Sequence, residues 1–590
     1  MARIRKSNEN IVEIPVGVSV NKKGYVYFNT TTYWRSSKDE DHNYADHKKV
    51  AIGKVVISNP EKWKEDRRMY PNNNYFRIFD TDQLPEPPKV SDHVSVGMLA
   101  VTTTISSDCG LTDILSDIFG SEDTQLLLDL AMYMLSQESA VFQHFPHWGR
   151  SHALFSTTVR SDSFICEFEK ESLSLSKINL FKTKWAAKTI DDGKLYFCYD
   201  STNVNSQAEG VFLVQKGHAK DNPSLNQVNT DYVVRQRDGL PVTFTTFPGS
   251  VVDMAEASEM ISFFGDLLGG DGFKEIKQRL SITMVCDRGY ISEDNVRQMD
   301  ADNIGFLLML RRNMGVTNDI LSLHGGAVRS SANYIKELDQ YAYTVTGSLF
   351  EEDNRTRYFH IVWDSDLERK HRKKLYDAIE RKESEIQKII ARKTAVDEDE
   401  LKRLRQWFDI EFVEQGTLQV KKRGRGKGTK DVKAFILTSA SRNIQKTDSD
   451  EQKCGYYILV TSDKMTATEA IDAYSKRDCV EKVFLALKSF LGMDKIGVHY
   501  EDSMHSKSLI WFVASILHSQ IFSKTESLRT DDRKSYTVPA IIDLMEEISV
   551  DRNLTSGSFE RRYKPTKKQK SIMRALHITE ADIDKMIGQL

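Results

Sequence analysis

Between Lys194 and Leu310 the chain carries five short apolar or alternating runs, KLYFCY, VFLVQ, PVTFTTF, SITMVC and GFLLML, separated by turn-forming segments. Runs of this length predict strands. A helix-periodic segment, DMAEASEMISFFGDLL, falls between the third and fourth runs. A second, SEDNVRQM, opens on Ser292 as a cap with acidic residues in its first turn. Strand, strand, strand, helix, strand, helix, strand predicts an α/β layer architecture with one mixed sheet.

The pattern differs on either side. Residues 1–95 hold short β-prone runs such as Tyr25–Asn29 and Val50–Ile57 among polar stretches, and predict a β-rich amino-terminal module. Residues 96–190 switch to helical spacing in LTDILSDIF and TQLLLDLAMYMLSQESAVF. After Arg312 the sheet pattern is lost for about 140 residues, too many for a simple connection, before it resumes at GYYILVTSD. An inserted α+β domain is therefore expected over 313–454. It would hold strand-like YAYTVTG and RYFHIVW, the charged helices LERKHRKKLYDAIERKESEIQKIIARK and ELKRLRQWF, and the basic loop KKRGRGKGTKDVK. The sheet-bearing core is then 191–312 plus 455–525, followed by a helical carboxy-terminal region at 526–590.

Composition narrows the class. A chain of 590 residues exceeds what one hydrophobic core organises, and 40% hydrophobic with 28% charged residues describes a folded globular protein. A net charge of -3 gives no global basic signal, so any nucleic-acid reading must rest on local patches. The longest apolar stretches, Leu126–Leu135 and Leu509–Leu517, are too short or too interrupted to span a bilayer, and the opening MARIRKSNEN leads into no sustained apolar core. Neither a membrane span nor a secretory signal is expected. Six cysteines lie far apart without a C-x-x-C pair, which argues against a zinc ribbon or disulfide framework and fits a reducing cytosol.

The segment Thr466–Phe490, TATEAIDAYSKRDCVEKVFLALKSF, has no Gly or Pro and predicts one long helix. At about 100° per residue with Tyr474 at zero, Arg477 falls at about 300°, Glu481 at about 340° and Lys488 at about 320°. Val480, Val483, Leu487 and Phe490 lie on the opposite side, which should pack on the sheet. Taken alone, Arg477 and Glu481 read as an ordinary i,i+4 surface pair. Two other segments change the weighing. Asp200 ends the strand of KLYFCYDSTNV, and Asp287 follows the strand of SITMVCDRGY. Either alone reads as a turn former. Two carboxylates at strand ends and one on a late helix form the donor set that holds two Mg²⁺ ions about 3.5–4 Å apart for phosphodiester chemistry.

The run Y-x2-R-x3-E-x6-K, present as Tyr474, Arg477, Glu481 and Lys488, resembles the motif of DDE transposases in the insertion sequence four group. YDSTN and CDRGY resemble that group's first and second Asp boxes, and the likeness covers roughly residues 95–525. The resemblance implies an RNase H-like mixed-sheet core interrupted by a large insertion. It implies metal binding by Asp200, Asp287 and Glu481, with two Mg²⁺ ions for which Mn²⁺ substitutes, and phosphate contacts from Tyr474, Arg477 and Lys488. Related enzymes nick one strand, use the freed 3′-hydroxyl to make a hairpin on the element end, reopen it and join it to target DNA. The implied partners are double-stranded terminal inverted repeats and target DNA, handled by a homodimer, without a membrane, in a bacterial cytoplasm at the nucleoid. The 1–95 module and the 96–190 region become candidates for DNA contact. GMDKIGVHYEDSMHSK, after the helix, departs from the group's pattern.

Other features carry less. Lys421–Lys433 sets seven basic residues, Arg423 and Arg425 among them, against one acid, and suits phosphate tracking or a solvated loop. RRYKPTKKQK reads as a basic tail. His144, His147 and His152 lack a fourth ligand and read as packing rather than zinc ligands. Lys220 and Asp221 position DNA or shape a turn. Two other functions stand against the transposase: a DNA-binding regulator derived from one, without cleavage, which the intact triad disfavours, and an Asp200-nucleophile phosphotransferase, which leaves the Tyr474–Lys488 stripe unexplained.

Overall fold

The computed structural model describes residues 11–36, 39–79, 93–191, 193–217, 224–251, 253–270, 280–421, 429–531, 536–552 and 558–590. Met1–Lys89 and Val90–Leu590 are two compact units. In the first, five antiparallel strands (Val12–Glu13, Val18–Val20, Tyr25–Ser36, Asp39–Val55, Arg68–Pro71) enclose Ile14, Val26, Ile52, Val55 and Met69.

The second unit is organised by a mixed sheet. Its strands are β1 (Gly193–Ser206), β2 (Asn226–Arg235), β3 (Leu240–Pro248), β4 (Leu280–Cys286), β5 (Gly305–Met309), β6 (Tyr334–Ile335), β7 (Gln340–Gly347), β8 (Arg357–Asp364), β9 (Tyr456–Thr461) and β10 (Lys495–Ile496). Their order is β6-β7-β8-β9-β5-β4-β1-β2-β3, with β10 paired to β1. β1, β4 and β5 are mutually parallel neighbours, and the flanking pairs are antiparallel. Parallel strands are buried on both faces, so their side chains divide by parity. Leu195, Phe197, Tyr199, Met284 and Cys286 join one core, covered by the helices Asp253–Gly269 and Glu293–Ala301. Cys198, Val204 and Val285 join the other, with the helices Asp478–Phe490 and Glu501–Lys524. The latter is buried all round from Leu509 to Leu517, which makes it an internal core helix. Among the described residues no helix is long and apolar enough to cross a membrane.

Ser292 caps its helix by accepting the Asn295 N–H at 3.1 Å. Four expectations are corrected. Val211–Gln215, read as a strand, makes only the bridge Gln215↔Gln227. The second strand is instead NQVNTDYVVR, whose interior is buried although it carries Gln227, Asn229, Thr230 and Asp231. Lateral bonds pair several of these polar groups: Gln227 donates to Asn229 at 2.8 Å, Asn203 to Gln227 at 3.1 Å and Tyr199 to Asp231 at 2.6 Å.

YAYTVTG and RYFHIVW, expected within an insertion, are β7 and β8 of the central sheet, with β8 paired to β9 from Tyr358↔Thr461 to Trp363↔Tyr456. The chain leaves the sheet at Ser365. From there the helix Ser365–Arg392 and a three-stranded sheet (Ala395–Val396, Phe408–Lys421, Thr429–Arg442) build a satellite core around Ile379, Ile386, Leu404, Trp407 and Leu437.

The long helix expected over 466–490 is two, Ala467–Ser475 and Asp478–Phe490. Between them the backbone tightens to three-residue spacing, with the N–H groups of Arg477, Cys479 and Val480 donating to Tyr474, Lys476 and Arg477 at 3.1, 3.2 and 3.2 Å. The Ser475 hydroxyl also draws on the Asp472 carbonyl at 2.8 Å, a competition that weakens a helical turn. The 526–590 region, expected to be helical, also holds strands Ser549–Arg552 and Phe559–Arg561, the first of which pairs with His93–Ser95.

Candidate active site

β1 and β4 run in parallel with Tyr199 opposite Cys286, and each of those residues is followed by an aspartate. In-register residues of parallel neighbours point the same way, and the strands lie about 4.8 Å apart. Asp200 and Asp287 thus issue side by side on the face that also carries Cys198 and Val285. β4 ends there, and the Asp287 carboxylate caps the turn that follows, accepting the Arg288 N–H at 2.8 Å. Asp200 accepts its neighbour Ser201 N–H at 2.9 Å and the Tyr290 hydroxyl at 3.3 Å.

The third carboxylate comes from the helix Asp478–Phe490, seated on the same face by Val480, Val483, Phe484 and Leu487. The tightened turn before it aims Arg477 inward. Its guanidinium donates to Asp200 at 3.1 Å and to Glu481 at 2.6 Å, and the Tyr474 hydroxyl donates to Asp287 at 3.4 Å. One side chain therefore spans the first Asp box and the helix box, and another reaches the second Asp box.

The electrostatics follow the geometry. Burial works against the charge on Arg477, but Tyr474 and the carboxylates of Asp200, Asp287 and Glu481 outweigh it, so the guanidinium is held more firmly protonated than usual. Burial, then Asp287, pushes the Tyr474 hydroxyl above its ordinary range, which keeps it a donor. Exposure is graded: the Arg477 side chain is 14% exposed, Asp200 21% and Glu481 57%.

Three carboxylates offer hard oxygen ligands, a donor set that suits a divalent metal. Among the described residues, however, no three acidic, histidine or cysteine side chains stand close enough to enclose an ion. Asp200 and Asp287 fit as a pair, while Arg477 stands between Asp200 and Glu481. Metal binding would thus require the guanidinium to withdraw and the exposed Glu481 to turn in.

Of the other expected site residues, Lys488 lies half-buried two turns beyond Glu481 on the same helix. Arg423, Arg425, Lys220 and Asp221 fall outside the described residues. His152 stacks on Trp148 at 4.2 Å and bonds the Trp148 carbonyl at 2.8 Å, a packing role. Sequence reading passed over Tyr290, although it closes the CDRGY box, because its approach to Asp200 depends on its ring resting on Tyr199 at 4.8 Å.

Residues 192–517 match the family model of the transposase DDE domain, a span of more than half the chain that contains all three carboxylates. The chain belongs to the DDE transposase family. No curated protein matches it. Among solved structures, the piggyBac transposase synaptic complex with hairpin DNA is similar at a TM-score of 0.32 and 8% identity, over 87% of this chain and 77% of that one. In this transposase the family span runs from the start of β1 into the buried helix Glu501–Lys524, so it includes the satellite core as well as the sheet.

Proposed function

We propose that this transposase excises its element by cutting DNA at both terminal inverted repeats and joins the 3′ ends to target DNA, in a cut-and-paste reaction with Asp200, Asp287 and Glu481 as the catalytic carboxylates. The observation that carries this reading is the pairing of Tyr199 with Cys286, which sets Asp200 beside Asp287, together with the Arg477 bridge from Asp200 to Glu481. We read β3-β2-β1-β4-β5, three antiparallel strands continued by two parallel ones, as an RNase H-like core.

Asp200, Asp287 and Glu481 would hold two Mg²⁺ ions, with Mn²⁺ as a substitute; when bound, the ions activate the attacking water or 3′-hydroxyl and offset charge on the leaving oxygen. The protein's own groups do the rest. Arg477, released from Asp200 and Glu481, presents a planar fork to the scissile phosphate. Tyr474 remains a protonated donor that orients Asp287 or a phosphate oxygen. Lys488 follows the backbone one step further along the helix, and Arg423 and Arg425 extend the contact on the basic loop. A homodimer would process the two ends together, a hairpin on the element end would link the two strand cuts, and the bacterial nucleoid would be the place of action.

The test is cleavage of DNA bearing the element's terminal inverted repeats, with Mg²⁺, by wild type and by Asp200→Ala, Asp287→Ala and Glu481→Ala. Each variant should lose cleavage by at least about 10³-fold while still binding DNA. Cleavage that survives in any one of them would refute the triad, and binding without cleavage by wild type would identify a regulator.

A further inference from the structure

The helix Ser365–Arg392 leaves the central sheet directly from β8 and buries Ile379 and Ile386 against the satellite sheet. On a wheel of about 100° per residue with Lys370 at zero, those two fall at about 180° and 160°. The opposite arc, from about 340° to 40°, holds six residues between Lys370 and Arg392. Five are Lys370, Lys374, Arg381, Lys388 and Arg392, and the sixth is Asp377. All five cations are exposed. They run for about 33 Å, close to one turn of duplex DNA.

A charged helix face is usually just solvated. Here the cations are sorted. Off the line, Arg369 is engaged by Asp366, Arg372 by Glu368 and Glu451, and Lys382 by the Arg403 carbonyl and Gln406, with Lys373 the exception. The acid at its edge, Glu385 at about 60°, is also taken, by Arg403. On the line, Lys370, Lys374, Lys388 and Arg392 form no ion pair among the described residues, and Arg381 donates only to the Asp377 carbonyl at 3.0 Å. A groove of about 440 Å³ runs along its distal half, lined in part by Arg381, Lys388 and Arg392.

Further cations gather at the near end of the line. His371, at its near end, bonds Arg312 and accepts the Gly455 N–H at 3.3 Å. Burial, then the charges of Arg312, Lys374 and Arg288, holds its imidazole down to about 4, so it remains neutral amid converging cations. Arg288 directly follows Asp287. Arg288, Arg312 and Lys374 thus gather around His371 at the start of the helix.

We propose that this face of Ser365–Arg392 is a phosphate-tracking surface that carries duplex DNA away from the carboxylate site, bound through its backbone irrespective of sequence. The inference rests on the transposase reading above and adds where the duplex lies outside the reacting phosphates. Each phosphate neutralised adds about 0.9 to the slope of log affinity against log salt.

The experiment is fluorescence anisotropy of the full chain with an arbitrary duplex of about 40 base pairs, titrated between about 50 and 200 mM salt. Replacing Lys370, Lys374, Arg381, Lys388 and Arg392 with Gln should flatten the slope by about 4.5 and weaken low-salt binding by about 100-fold or more. Lys388→Gln with Arg392→Gln should flatten it by about 2 and keeps the test decisive should the larger variant misfold. Arg369→Gln, on the same helix but off the line, should change nothing. A slope unchanged in either multiple variant overturns the surface while leaving the transposase reading standing. Wild type that binds no duplex at any salt sinks both.

Discussion

The Arg477 guanidinium donates to Asp200 at 3.1 Å across 277 residues of chain, and this contact ties the helix box to the first strand of the sheet. Both partners are mostly shielded, and the same guanidinium holds Glu481. Arg477 thus serves as the positive charge among the carboxylates.

Removing that charge should destabilise the fold modestly, since partial exposure discounts the full penalty of a broken buried pair. Arg477→Ala and Asp200→Ala should each cost about 1–2 kcal/mol, and the double variant little more than either. Thermal unfolding of the four proteins measures the coupling; strictly additive losses would show that the pair does not interact.

Tyr474→Phe keeps the ring and deletes a donor at 3.4 Å from Asp287. A bond this long contributes little to stability, so melting should shift by less than about 1 kcal/mol while end cleavage falls about 10–100-fold. Unchanged cleavage would remove Tyr474 from the site.

The two Asp boxes and the helix box were legible because each joins a polar residue to an apolar run of recognisable period. Their assembly was not. The break at Lys476–Arg477 lies in three backbone bonds that helix propensity does not encode. The strand Asn226–Arg235 escaped because Gln227, Asn229 and Asp231 interrupt its apolar pattern, and only the folded state shows partners for them. β7 and β8 were visible as strands, but alternation says nothing about which edge a strand joins, so their place beside β9 was hidden.

The buried strand carries a pH signature. Burial raises the Asp231 carboxyl from 3.8 to about 8 even though the Tyr199 hydroxyl donates to it. Unfolded, the group ionises near pH 4, whereas folded it stays protonated to about pH 8. Its stabilising effect is therefore complete below pH 4 and lost as pH rises through 8. Asp231→Asn should melt with a shallower decline between about pH 5 and 9 than wild type. Parallel profiles would mean that Asp231 does not titrate in this range.

Replacing Arg423 and Arg425 with Ala should reduce the salt slope of end binding by about 2, one phosphate contact for each charge. A slope equal to that of wild type would leave the loop solvated and without a part in binding.

The central claim is that three carboxylates, now joined through Arg477 and Tyr474, form one divalent-metal site. Its most direct measurement is Mn²⁺ binding by electron paramagnetic resonance, with wild type against Asp200→Ala, Asp287→Ala and Glu481→Ala in the presence of end DNA. The account predicts that each substitution weakens Mn²⁺ binding at least about 10-fold, a loss of about 1.4 kcal/mol. Binding at wild-type strength in any of the three would contradict it.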